Sequence, residues 1–71
     1  MTDLIGTEAT VWVLDNGNWI PSFTGTVRVV SPDGVTLEVT GTTPGAPPKG
    51  TLHRAYFQAG QGERLMVGGG A

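Results

Sequence analysis

Apolar and polar positions alternate most regularly between Thr24 and Thr40. Val35, Leu37 and Val39 alternate with Thr36, Glu38 and Thr40, and Val27 and Val29 alternate with Thr26 and Arg28. A period of two marks a strand with one buried face. Ser31-Pro32-Asp33-Gly34 separates the two runs. Proline suits the first central position of a type I turn, Asp suits the next, and Gly accepts the positive φ that follows. The stretch therefore predicts a β-hairpin with a three-residue loop, Pro32-Asp33-Gly34, closed by a glycine bulge. That loop sets Ser31 opposite Val35, Val29 opposite Leu37 and Val27 opposite Val39. On the other face it sets Val30 opposite Thr36, Arg28 opposite Glu38 and Thr26 opposite Thr40. A slip of one residue would bring Leu37 to Arg28, so pattern and turn select one register.

The rest of the chain reads as further short strands. Residues 1–7 form a lead whose Leu4 and Ile5 can pack on a barrel edge or on a neighbour. Glu8 to Leu14 is rich in β-branched and aromatic residues and predicts a strand. Both of its faces carry apolar side chains, which implies cover on both sides. Asp15-Asn16-Gly17-Asn18 predicts a tight hairpin turn. Trp19 to Phe23 resumes an extended chain in which Pro21 requires an edge or a bend. Gly25 is the expected kink where one long strand passes from one half of the sheet to the other.

Residues 41–50, GTTPGAPPKG, form a long Gly/Pro loop in which Pro44, Pro47 and Pro48 favour polyproline II geometry. Thr51 to Ala59 reads as a strand with Ala55, Phe57 and Ala59 inward and Leu52, Arg54 and Tyr56 outward, and is also compatible with a single helical turn. Gly60-Gln61-Gly62 is a turn, Glu63 to Val67 a last strand, and residues 68–71 a flexible tail. Residues 1–71 thus form one domain. Turn signals every 8–12 residues predict an all-β fold, a small antiparallel barrel of five to six strands.

Composition narrows what such a barrel can do. There is no Cys and only one His, which leaves no disulfide, no thiolate site and no zinc cluster. A chain this short gains little stability from one core, and association is a common supplement. The net charge is −2, and Arg28, Lys49, Arg54 and Arg64 are scattered rather than grouped into the basic stripe of a nucleic-acid binder. Charged residues make up 14%, which describes a surface that tolerates being covered. No apolar run approaches a membrane span, and the first residues do not read as a signal peptide. The expected location is the cytoplasm or a virion.

Catalytic chemistry finds no footing in the sequence. His53 lacks a nucleophile and an orienting acid in any recognisable motif and reads as structural. Asp15 and Asp33 are both in turn positions where Asp bonds the backbone. The Gly-rich segments do not continue as a phosphate loop, and Lys49 reads as a solvated loop charge. No catalytic residue, cofactor, metal or small-molecule substrate is expected.

The aromatic residues point instead to contact with protein. With Val11 and Val13 inward, Trp12 and Leu14 point outward. A two-residue Asn16-Gly17 turn places Trp19 opposite Leu14 and Pro21 opposite Trp12. Trp12, Leu14, Trp19 and Pro21 then form an outward patch, a candidate association surface. Pro44, Pro47 and Pro48 stiffen a candidate arm toward a neighbour.

The run from Trp19 to Val27, followed by Val35 to Val39, resembles the middle of SH3-like barrels of the Tudor and KOW kind: an aromatic, Gly-x-Val, a turn with Asp-Gly, and a second Val-rich strand. The resemblance implies an SH3-like barrel. It covers only the middle of the chain, which lacks both the aromatic-cage spacing of Tudor modules and the basic residues of KOW modules. The overall texture is similar to small bacteriophage virion accessory proteins, which implies a structural role such as capsid decoration or cementing. The expected partners are copies of the chain or a larger protein assembly, with neither a membrane nor a nucleic acid. The alternative is an SH3-like recognition module for a peptide or nucleic acid.

Overall fold

A computed structural model describes residues 4–60 and 62–67. The strands are β1 (Glu8–Asp15), β2 (Asn18–Ser31), β3 (Gly34–Thr42), β4 (Leu52–Tyr56) and β5 (Glu63–Val67). All pairings are antiparallel, in the order β4-β3-β2-β1-β5, and the sheet curls into a half-barrel. The first three residues and the tail at 68–71 lie outside the described residues.

β2 organises the curl. It pairs with β1 from Asn18 to Thr26 and with β3 from Phe23 to Ser31, so one strand belongs to both halves of the sheet. Gly25 lies in the overlap, at the expected kink. Pro21 pairs on the β1 side alone, because the ladder to β3 begins at Phe23. Its missing N–H therefore removes no sheet bond, which is how a strand tolerates proline.

The concave face carries the core: Ala9, Val11, Phe23, Val27, Val35, Leu37, Val39 and Ala55 are buried, with Leu4, Ala46, Leu65 and Val67 packed against them. Every strand supplies at least one of these residues by alternation, so the period-two pattern translates directly into packing.

The central hairpin exists, but its register differs from the one the sequence predicts. Ser31 pairs with Gly34, Val30 with Val35 and Val29 with Thr36. A bulge at Arg28 follows, and Val27 then pairs with Leu37 and Thr26 with Glu38. The loop is thus two residues, Pro32-Asp33, and Gly34 is not among the residues of positive φ. Gly34 is extended and buried beneath β4. An added Cβ would overlap the Ala55 carbonyl oxygen and come within 2.9 Å of Tyr56 Cα. The glycine serves the close approach of a neighbouring backbone, not the turn. A second consequence is that Val29, expected in the core, is 53% exposed. The bulge shifts the strand by one residue and turns Val29 outward opposite Thr36 while keeping Val27 inward. The expected Arg28–Glu38 pair nevertheless forms, with Nε and Oε1 2.8 Å apart.

β4 is shorter than expected. Ala55 faces inward and Leu52, Arg54 and Tyr56 outward, as alternation requires, but Phe57 and Ala59 are exposed and outside the strand. The Phe57 N–H donates to the Asp33 carbonyl at 3.0 Å, one step beyond the Gly34–Tyr56 pair, and the ladder stops there because its partner strand runs into the Pro32-Asp33 turn. No helix forms among the described residues.

Candidate functional site

The Asn16-Gly17 turn sets the geometry of the outer face. Asn16 has φ 50° and Gly17 φ 81°, the two positive values that a type I′ turn needs. Asp15 then pairs with Asn18, Leu14 with Trp19, Val13 with Ile20 and Trp12 with Pro21. The structure therefore brings Trp12, Leu14, Trp19 and Pro21 together as the parity of the strands predicts. Ser22 is then skipped as a bulge, and Val11 pairs with Phe23 in the core.

Sequence reasoning missed what lies on the other side of Trp12. β5 pairs with β1, so Trp12 stands between Pro21 and Arg64, and Thr10 between Thr24 and Met66. The patch thus runs across three strands, with Leu14, 50% exposed, toward the Asn16-Gly17 turn and Met66, 53% exposed, at its other end opposite Thr10. The only signal in the sequence was the outward parity of Arg64 and Met66 in the last strand, and parity does not say which strand it joins. Trp12 and Trp19 are half-buried. Trp12 Nε1 is shielded from solvent and has no hydrogen-bond partner among the described residues. An unpartnered buried donor costs on the order of 1–3 kcal/mol, so Trp12 is held at a price that its packing alone must offset.

The proline loop folds back on the barrel. Thr43 Oγ1 donates to the Ser22 carbonyl at 2.7 Å, which places the start of the loop beside Pro21. The Pro47 carbonyl accepts from Thr42 Oγ1 at 2.8 Å, the Pro48 carbonyl accepts from the Thr51 N–H, and Ala46 reaches the core. Pro44 and Pro48 are exposed and Pro47 is half-buried. Pro44 thus neighbours the patch through Thr43, whereas Pro47 and Pro48 serve the loop's own fold.

The ionisable residues are spread in pairs. Arg54 Nη2 meets Asp33 Oδ1 at 2.9 Å, and the guanidinium carbon Cζ lies 5.5 Å from the centre of the Tyr56 ring. His53 stands edge-on to Phe23, and its Nε2 is 3.5 Å from Glu63 Oε1, a contact rather than a hydrogen bond. Among the described residues no three of His, Asp and Glu gather as metal ligands. No helix there is long and apolar enough to cross a membrane.

No protein-family model, curated protein or solved structure matches the chain. Any function must therefore be argued from the molecule itself.

Proposed function

We propose that this chain is a non-catalytic assembly domain that works through protein–protein contacts. The observation that carries the reading is the apolar outer face spanning β2, β1 and β5, centred on Trp12 and flanked by Leu14, Trp19, Pro21 and Met66. Contiguous apolar surface of this kind marks an association site, and Trp is prominent among the residues that dominate binding. The balance of the fold supports it. Among the described residues nine large apolar side chains are exposed, against eight apolar residues in the core. Such a chain gains more from being covered than from standing alone. The similarity in texture to bacteriophage virion accessory proteins supplies a setting, in which the domain decorates or cements a capsid.

The test is Trp12→Ser with sedimentation and circular dichroism. The expected outcome is a domain that keeps its β spectrum while association with itself or with a capsid surface weakens by about 2 kcal/mol or more. Loss of the fold would make Trp12 a core residue and overturn the reading. A wild-type chain that stays monomeric, leaves capsids bare and binds peptides or oligonucleotides would establish the recognition-module alternative instead.

A further inference from the structure

We propose that Asn16-Gly17 is a self-modifying site: in copies whose hairpin tip is uncovered, the Gly17 nitrogen closes on the Asn16 side chain and converts it to aspartate and isoaspartate, which undoes the Trp12 face. The chemistry stands on its own, and its consequence for association rests on the assembly reading. The Gly17 nitrogen gives up its proton and bonds to Asn16 Cγ, the bond from Cγ to the amide nitrogen breaks, and ammonia leaves. Water then opens the cyclic imide. Attack at Cγ gives aspartate. Attack at the main-chain carbonyl gives isoaspartate, in which the backbone runs through the former side chain and is longer by a methylene. Nothing is oxidised or reduced, and water is the only co-reactant.

The structure selects this site over its neighbours. Asn16 and Gly17 are exposed, and nothing lies within 4 Å of a Cβ added at Gly17. Neither the Asn16 side chain nor the Gly17 N–H has a hydrogen-bond partner among the described residues. Related chemistry is blocked elsewhere. Asn18 is followed by Trp19, whose side chain crowds the attacking nitrogen, and both lie in the β1–β2 ladder. Asp33 precedes Gly34, but Arg54 holds its carboxylate at 2.9 Å and Gly34 is buried beneath β4. In the closed type I′ turn Asn16 has positive φ and ψ, which sets the Gly17 nitrogen on the far side of Cα from the side chain. The ring therefore closes from an opened turn. The tip is built to open. The β5 ladder ends at Val13, followed only by the bond from the Leu14 N–H to the Gly62 carbonyl, and β3 begins its pairing at Phe23. Beyond Leu14 only β1–β2 pairs hold the tip, and Val13 and Ile20 lie outside the core. Such a segment opens without unfolding the rest. A partner seated on Leu14 and Trp19 holds the turn closed, so association protects Asn16 and the free chain ages. Isoaspartate lengthens the turn, which no longer matches the type I′ twist, and Trp19 loses its fixed place opposite Leu14.

The test ages the dilute chain at mildly alkaline pH and physiological temperature, then maps it by peptide mass with an isoaspartyl methyltransferase as probe. Ammonia should appear in step with conversion at Asn16, with Asn18 intact. Denaturant should speed the reaction by opening the turn. Asn16→Gly, which keeps the positive φ that the turn needs, should not convert. In the associated chain conversion should slow by about tenfold or more, whereas Trp12→Ser at the same concentration should convert at the dilute rate. The isoaspartate form should associate about tenfold or more weakly than fresh chain. Asn16→Asp, which has the charge without the extra methylene, should associate as the fresh chain does. An Asn16 that stays intact in the dilute chain, or converts as fast in the associated one, overturns the proposal. If Asn16 converts in a chain that neither self-associates nor binds capsids, the modification site stands and the assembly reading falls.

Discussion

The β1–β2 hairpin turns on Asn16 and Gly17, both at positive φ, whereas the β2–β3 hairpin turns on Pro32 and Asp33, neither of which is. Both contain a glycine at or beside the turn, and the two glycines answer to different needs. Gly17 solves a local problem, since the primed turn twists with its strands only if its residues adopt left-handed values. Gly34 solves a remote one, since the backbone of β4 lies against it. Once Gly34 is committed to β4, the turn shortens by a residue, and the bulge at Arg28 restores Val27 to the core. A turn specified by its own residues can be read from them, and a turn specified by a later strand cannot.

The comparison is broken most severely at Gly34. Gly34→Ala should cost about 3 kcal/mol or more, because the added carbon meets backbone that cannot step aside. Gly17→Ala should cost about 1–2 kcal/mol, the strain of a left-handed residue in otherwise open space. Thermal unfolding of the two variants ranks them, and equal melting temperatures would mean that β4 does not rest on Gly34.

The same division explains how much was legible. Alternation gave the strands, the inward set of Val11, Val27, Val35, Leu37, Val39 and Ala55, and the facing pairs Trp12–Pro21 and Leu14–Trp19, because each follows from parity and one local turn. Val29, Phe57 and Ala59 were misplaced because their positions depend on a bulge and on where the neighbouring strand gives way to the Pro32-Asp33 turn, neither of which leaves a periodic mark. Of the candidate surface, the Trp12 cluster was legible. Its extension to Arg64 and Met66 was not, since pairing of the first strand with the last is a matter of topology.

The smallest expected effect is at Arg28 and Glu38. Their contact of 2.8 Å is exposed, so the pair should contribute less than about 1 kcal/mol. Exchanging the two residues should leave denaturant stability almost unchanged, whereas Arg28→Glu alone should lower it by a few tenths to about 1 kcal/mol through like charges. A larger loss on exchange would show that the bulge at Arg28 depends on the identity of that side chain.

The antiparallel order has a consequence for the route by which the chain closes. Three of its four ladders join strands that are consecutive in sequence, two through two-residue turns and the third through the Gly/Pro loop. The fourth joins Val13 to Glu63, some fifty residues apart. Loop closure grows with the logarithm of length, so this rung carries about 1 kcal/mol more entropy than the one joining Glu38 to Leu52. Strands β1 to β4 are a meander that zips locally, and β5 is added at its far edge, beside β1.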